Sequence, residues 1–258
     1  MTPSTTTAAG TAERYLELLK GCLTRVLFVE DEAAYLDYPG GSKALRESRA
    51  EGRDWPATAE TMIGSARLDN LQSCIVKVLD DGVPGDLLEA GVWRGGASIL
   101  MRAVLAAYGV TGRDVWVADS FRGLPPPDRD HYPGEMPEDL SIHPELAVSL
   151  ATVKANFARY DLLDDRVHFL RGWFRDTLAG APVEQLAVLR LDGDYYESTM
   201  DTLTALYPRL APGGFLIVDD YGAIEACRQA VGEYRRDHGV DEEIVPIDWT
   251  GVYWRRRR

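Results

Sequence analysis

From residue 86 onward, short apolar runs alternate with segments of helical length, a pattern that predicts a doubly wound parallel sheet with helices on both faces. The runs Asp86–Glu89, Val115–Asp119, Val167–Leu170, Ala187–Asp192 and Phe215–Asp219 read as strands. Helices are expected between them, over about Gly96–Tyr108, Ser149–Tyr160, Phe174–Gly180, Ser198–Leu210 and Ile224–His238. Two last runs, Glu243–Ile247 and Gly251–Trp254, flank Asp248-Trp249-Thr250 and read as an antiparallel hairpin at the sheet edge, making seven strands.

Upstream the period changes. Leu16, Leu19, Leu23, Val26 and Leu27 predict an amphipathic helix from Ala12 to Leu27, and Met62, Leu68, Leu71, Ile75 and Val78 a second from about Ala57 to Leu79. Between them, Val29–Trp55 is acidic, contains glycine and keeps no period, as a mobile cap or lid would. The first ten residues, rich in Thr and Ala, lack the basic start and apolar core of a signal peptide and are expected to be a disordered tail. The predicted layout is therefore a tail over 1–10, a helical cap over 11–85 and a sheet domain over 86–258. One long connection, Arg122–Glu145, carries Pro125-Pro126-Pro127, His131 and His143 and is expected to be a lid or substrate loop.

Composition narrows the partners. A chain of 258 residues with 45% hydrophobic and 27% charged residues is long enough for one large α/β domain. A net charge of −13 argues against nucleic acid and against anionic membranes as partners. No apolar run approaches the roughly 20 residues that span a bilayer. Cys22, Cys74 and Cys227 are far apart and have no Cys or His at ligand spacing, so they read as reduced thiols of a cytoplasmic protein.

Two strands end in paired carboxylates: Leu189-Arg190-Leu191-Asp192-Gly193-Asp194 and Phe215-Leu216-Ile217-Val218-Asp219-Asp220. Asp and Gly after an apolar run often do no more than open a turn. In an open parallel sheet, however, the functional crevice lies beyond the carboxyl ends of the strands. Four acidic groups gathered there would repel one another without a cation, and a carboxylate set suits a hard ion such as Mg²⁺.

A second constellation sits at the first strand–helix junction, Glu89-Ala90-Gly91-Val92-Trp93-Arg94-Gly95-Gly96. Gly91 and Gly95 permit close backbone approach, but the spacing departs from the G-x-G-x-x-G of dinucleotide folds. Asp119, ending the second strand, can accept both ribose hydroxyls of a nucleoside. With Glu89 it makes a negative crevice suited to a ligand carrying an amino group and a sulfonium, as S-adenosylmethionine (SAM) does. Trp173, after the third strand, could stack on an adenine ring or belong to the core. His143 and Glu145, in the long connection, are candidates to contact the acceptor.

These residues resemble the metal-dependent sugar O-methyltransferases of antibiotic biosynthesis, the TylF/MycF/NovP type. The resemblance spans nearly the whole chain and includes Thr61-Met62-Ile63-Gly64, Val115-Trp116-Val117-Ala118-Asp119-Ser120-Phe121, Gly172-Trp173-Phe174, Leu191-Asp192-Gly193-Asp194 and Val218-Asp219-Asp220-Tyr221. It implies a class I SAM-dependent methyltransferase fold, Rossmann-like, with a mostly parallel sheet whose last strand is antiparallel, and an N-terminal helical cap. It also implies Mg²⁺ held by Asp192, Asp219 and Asp220, Asp194 as general base, and a SAM pocket of Thr61, Met62, Glu89, Gly91, Trp93, Gly95, Asp119, Ser120 and Trp173. The sequence departs from the pattern at Ala90, at Tyr195-Tyr196-Glu197 and over 29–55 and 123–147, so the acceptor's identity stays open.

The expected reaction is methyl transfer to a deoxysugar hydroxyl of a small-molecule glycoside, by an enzyme that forms homo-oligomers. The alternatives are a catechol-type O-methyltransferase, a nicotinamide-dependent oxidoreductase, which would need a Tyr-x-x-x-Lys pair that the chain lacks, and a non-catalytic SAM-binding protein.

Overall fold

The computed structural model describes residues 5–31, 41–132 and 135–257. A seven-stranded sheet forms its centre, in the order β3-β2-β1-β4-β5-β7-β6. The strands are β1 (Asp86–Ala90), β2 (Val115–Asp119), β3 (Val167–Arg171), β4 (Leu186–Leu191), β5 (Leu210–Val218), β6 (Val245–Pro246) and β7 (Val252–Arg255). β1 to β5 are parallel, and β7 runs antiparallel to both β5 and β6. The five internal runs and the terminal hairpin are thus strands as their patterns require. β7 takes the place beside β5 and leaves the two-residue β6 outside.

Central strands alternate their side chains between two cores. Leu87, Val115, Val117, Val188 and Ile217 face one, and Leu88, Trp116, Leu189, Leu191 and Leu216 face the other. Burial on both faces explains why β4 reads as an almost unbroken apolar run, each such side chain contributing about 1.5–3 kcal/mol. Helices α4 (Gly96–Ala107), α5 (Leu150–Arg159), α6 (Phe174–Thr177), α7 (Tyr196–Leu206) and α8 (Glu225–His238) fall within a few residues of their predicted bounds. Among the described residues no helix is long and apolar enough to cross a membrane.

The N-terminal third departs more. Helix α1 (Thr5–Leu23) begins inside the stretch expected to be a tail, and it stops before Leu27 because Arg25 turns left-handed at φ +57°. Leu16, Leu19 and Leu23 are buried, as their spacing requires, and α1 packs against α4. Helix α2 (Gly41–Ala50) lies in the segment expected to be an aperiodic lid, of which residues 32–40 lie outside the described residues. Helix α3 (Gly64–Asp80) starts seven residues later than its apolar pattern suggested. Gly64 has φ +75°, and a Cβ there would stand 2.4 Å from the Gly52 nitrogen, so a tight crossing of two backbone segments blocks the missing turns. Residues 57–63 are left non-helical and run toward the sheet's carboxyl edge.

The long connection leaves and returns at one point: a Cβ on Gly123 would lie 3.3 Å from the Ala147 Cβ. Inside it, short 3₁₀ turns span Leu140–Ile142 and Pro144–Leu146. Leu140 N–H donates to the Tyr195 hydroxyl at 2.8 Å, which fixes the first turn over the end of β4.

Candidate active site

Beyond the carboxyl ends of β1, β2, β4 and β5 lies a cavity of about 670 Å³. The backbone delivers the acids to it. Asp192 N–H donates to the Ala90 carbonyl at 2.8 Å and Asp219 N–H to the Leu191 carbonyl at 2.9 Å, so each residue extends a ladder one bond past its strand. Asp194 then turns left-handed, φ +56°, and its N–H donates to an Asp220 carboxylate oxygen at 3.2 Å. One carboxylate oxygen from each of Asp192, Asp194 and Asp220 lies within 4.8 Å of the others.

Burial, followed by the neighbouring acids, raises the pKa of all three. Asp192 is pushed up to about 6, with the Asp219 charge adding to burial. Asp194 is pushed up to about 8, with Asp192 and Asp219 adding, and Asp220 is raised well above the usual carboxylate range. Three hard oxygen donors that resist ionising together are a donor set that a divalent cation would satisfy.

Asp219 stands apart from that set. Its two carboxylate oxygens are engaged by Arg190 and Arg67, and Arg67 Nε also donates to Asp248 at 3.0 Å. Arg190, 1% exposed, further donates to Glu89 at 2.6 Å and to Asp192 at 2.9 Å. Asp219, expected among the metal ligands, thus turns to two guanidiniums, while Asp194, expected as the base, joins the converging oxygens. Two buried guanidiniums hold Asp219, and the left-handed turn at Asp194 swings its carboxylate inward. A basic residue inside the apolar run of β4 was the one sequence signal for Arg190; nothing marked Arg67.

The residues expected to hold SAM line the same cavity: Thr61, Met62, Glu89, Gly91, Trp93, Asp119, Ser120 and Trp173. Asp119 accepts from Val92 N–H at 2.9 Å and Phe121 N–H at 2.6 Å, tying the loops after β1 and β2 together. Burial raises its pKa, against those two bonds. Arg94 covers the Trp93 ring at 4.0 Å and Arg122 lies over Trp173 at 5.4 Å. Gly95 is not in the cavity wall: a Cβ there would meet Val153 of α5 at 2.9 Å. Gly91 serves packing directly, since a Cβ would fall 1.6 Å from the Asp192 carbonyl oxygen. Both glycines allow a close approach, but of chain to chain.

His143 and Glu145 also fall outside the wall. Both are exposed at the rim, where His143 meets the Trp55 ring edge-on at 5.6 Å and the Glu145 carbonyl accepts from Trp93 Nε1 at 2.9 Å. From the same connection Glu135, unmarked in the sequence, reaches inward to accept from Tyr196 N–H at 3.0 Å and Glu197 N–H at 3.2 Å, capping α7. Its long-range partners gave no local signal.

The strand order, the glycine turn after β1 and the acid-ended strands define a class I methyltransferase fold. The chain belongs to the macrocin O-methyltransferase (TylF) family, which it matches over residues 12–256. It is 56% identical over 93% of its length to a tetracenomycin-rhamnosyl 4'-O-methyltransferase of Streptomyces olivaceus, covering 92% of that protein. It is 52% identical to the mycinamicin III 3''-O-methyltransferase of Micromonospora griseorubida, over 99% of each chain. The structure of the O-methyltransferase NovP superposes with a TM-score of 0.89 at 49% identity, over 96% of this chain and 100% of that one.

Proposed function

We propose that the protein transfers the methyl group of SAM to a sugar hydroxyl of a glycosylated natural product, with Mg²⁺ at the acid cluster. The observation that carries this reading is the convergence of Asp192, Asp194 and Asp220 in the cavity whose other walls carry the residues expected to hold SAM. Two named relatives act on sugar hydroxyls of glycosides, at the 4' and 3'' positions. The cavity's charge points to the same acceptor class. Among the described residues, eleven carboxylates and three arginines line it, a field that repels a nucleotide diphosphate sugar and admits a neutral glycoside.

In this reading Asp192 and Asp220 would hold the cation. A sugar hydroxyl is too weak an acid for a carboxylate alone, and a Mg²⁺ held there would supply the Lewis acidity that lowers its pKa. The base must reach that same hydroxyl, so it must stand beside the ligands, as Asp194 does. With its pKa pushed up to about 8, its carboxylate is a better proton acceptor than an ordinary Asp. Arg190 and Arg67 hold Asp219 behind the cluster and offset part of its charge. The lid residues over the β4 end keep water from the transfer.

Calorimetry with S-adenosylhomocysteine tests donor binding, and turnover of candidate glycosides with and without EDTA, read by mass spectrometry as the gain of one methyl group, tests the rest. Full turnover in EDTA would exclude the metal, and faster turnover of catechols than of any glycoside would move the acceptor to the phenolic class.

A further inference from the structure

We propose that Glu60 is a positioning residue for the methyl donor, pinning the wall segment Thr61-Met62 to both the N-terminal helix and the sheet domain. The inference rests on the reading of that wall as the SAM pocket.

Glu60 is 1% exposed although it lies in an irregular segment, and every polar group it carries is used. Its side chain accepts from Arg159 at 2.7 Å and from the Tyr160 hydroxyl at 3.0 Å, both at the end of α5, and from Arg25 at 3.4 Å, just past α1. Its N–H donates to the Leu23 carbonyl of α1 at 2.9 Å, an acceptor that Thr61 N–H shares at 3.2 Å. Its carbonyl accepts from Gly96 N–H, the first residue of α4, at 2.9 Å. One residue thus joins α1, α4 and α5.

The glycine turn closes from the other side. Arg94 donates to the Pro56 and Ala59 carbonyls at 2.9 Å each, and Asn156 of α5 holds the Arg94 carbonyl at 2.9 Å. A Cβ on Gly96 would lie 2.6 Å from the Thr61 Cβ, so the segment and the start of α4 are in direct apposition. A buried carboxylate between two arginines fixes position strongly, because its oxygens are out of water's reach and depend on these charge-assisted bonds. Thr61 and Met62 follow at once in the chain and line the cavity, whereas the converging acids lie just past the ends of β4 and β5 and touch none of Glu60's partners. Loosening Glu60 therefore moves the donor wall and leaves the acid cluster in place.

The test is Glu60→Gln in the full chain, with S-adenosylhomocysteine as the calorimetric probe and steady-state rates alongside. The expected result is a Kd weakened by about tenfold, a parallel rise in KM for SAM and kcat near the wild-type value at saturating donor. A defect of folding alone would lower the active fraction and apparent kcat with Kd unchanged, and that result overturns the proposal. Should Glu60→Gln fail to fold, Arg159→Met carries the question, since that side chain is 56% exposed. It should weaken the probe by about threefold, with Arg159→Lys restoring most of the loss; unchanged affinity in folded Arg159→Met would overturn the proposal. Wild-type protein that does not bind the probe would refute the donor assignment itself.

Discussion

The two ends of the cavity are built on opposite principles. At the donor end polar groups are paired: Asp119 accepts two backbone N–H groups, and Glu60 and Arg94 lock the wall segment from either side. At the acid end three carboxylates face one another, and the nearest cations, Arg190 and Arg67, are spent chiefly on Glu89, Asp219 and Asp248. A satisfied region binds by a shape it already has, and an unsatisfied one by the charge it lacks. The contrast predicts where substitutions change chemistry and where they change affinity or stability.

The largest effect should come from Asp194→Asn, which keeps the side chain's shape and removes its basicity. Turnover should fall by about 10²–10⁴-fold, while S-adenosylhomocysteine binds as before. A large loss of donor affinity in this variant would show that the two ends are not separable. Arg190→Met should follow. It strands Glu89 as a buried charge, leaves Asp219 with Arg67 alone and should cost about 3–5 kcal/mol in a denaturant melt.

Metal binding should come next, and its sign with pH is fixed by the raised pKa values. Without a cation, Asp192 and Asp194 bind protons more readily folded than unfolded, so stability falls as pH rises from about 4 to about 8. Mg²⁺ requires the ionised acids and should therefore raise the melting temperature more at pH 8 than at pH 6. At about a hundred times its Kd the gain is about 2.7 kcal/mol, or about 5–10 °C, readable by scanning calorimetry. A shift equal at both pH values would place the ion elsewhere. The smallest effect is expected at the rim, where His143→Ala should leave acceptor KM within about twofold and stability within about 0.5 kcal/mol.

The sheet was legible because strands buried on both faces leave long apolar runs, and because acids at strand ends cannot hide among them. Helix α2 was not. Leu45 and Arg49 are its main buried residues, and Arg49 is paired with Asp54, so half of the buried face reads as polar. The apolar pattern starts α3 too early because Met62 is apolar for a different reason: it belongs to the cavity wall. That both acid-ended strands meet at one cavity is legible in the sequence; how the four side chains turn within it is not. Which carboxylates converge depends in part on Arg67, which is 152 residues from its partner Asp219. A glycine in a turn likewise does not say whether it yields to a ligand or to a neighbouring strand.

The meeting of Gly123 and Ala147 bears on how such an enzyme can acquire new acceptors. Because the intervening stretch starts and finishes at one place, it can be exchanged between relatives as a cassette, with no change in the spacing of the strands that carry the acids. The natural graft boundaries are those two residues. What must travel with the cassette is small: a carboxylate at position 135 for the α7 amides, and a backbone turn at 140 for the Tyr195 hydroxyl.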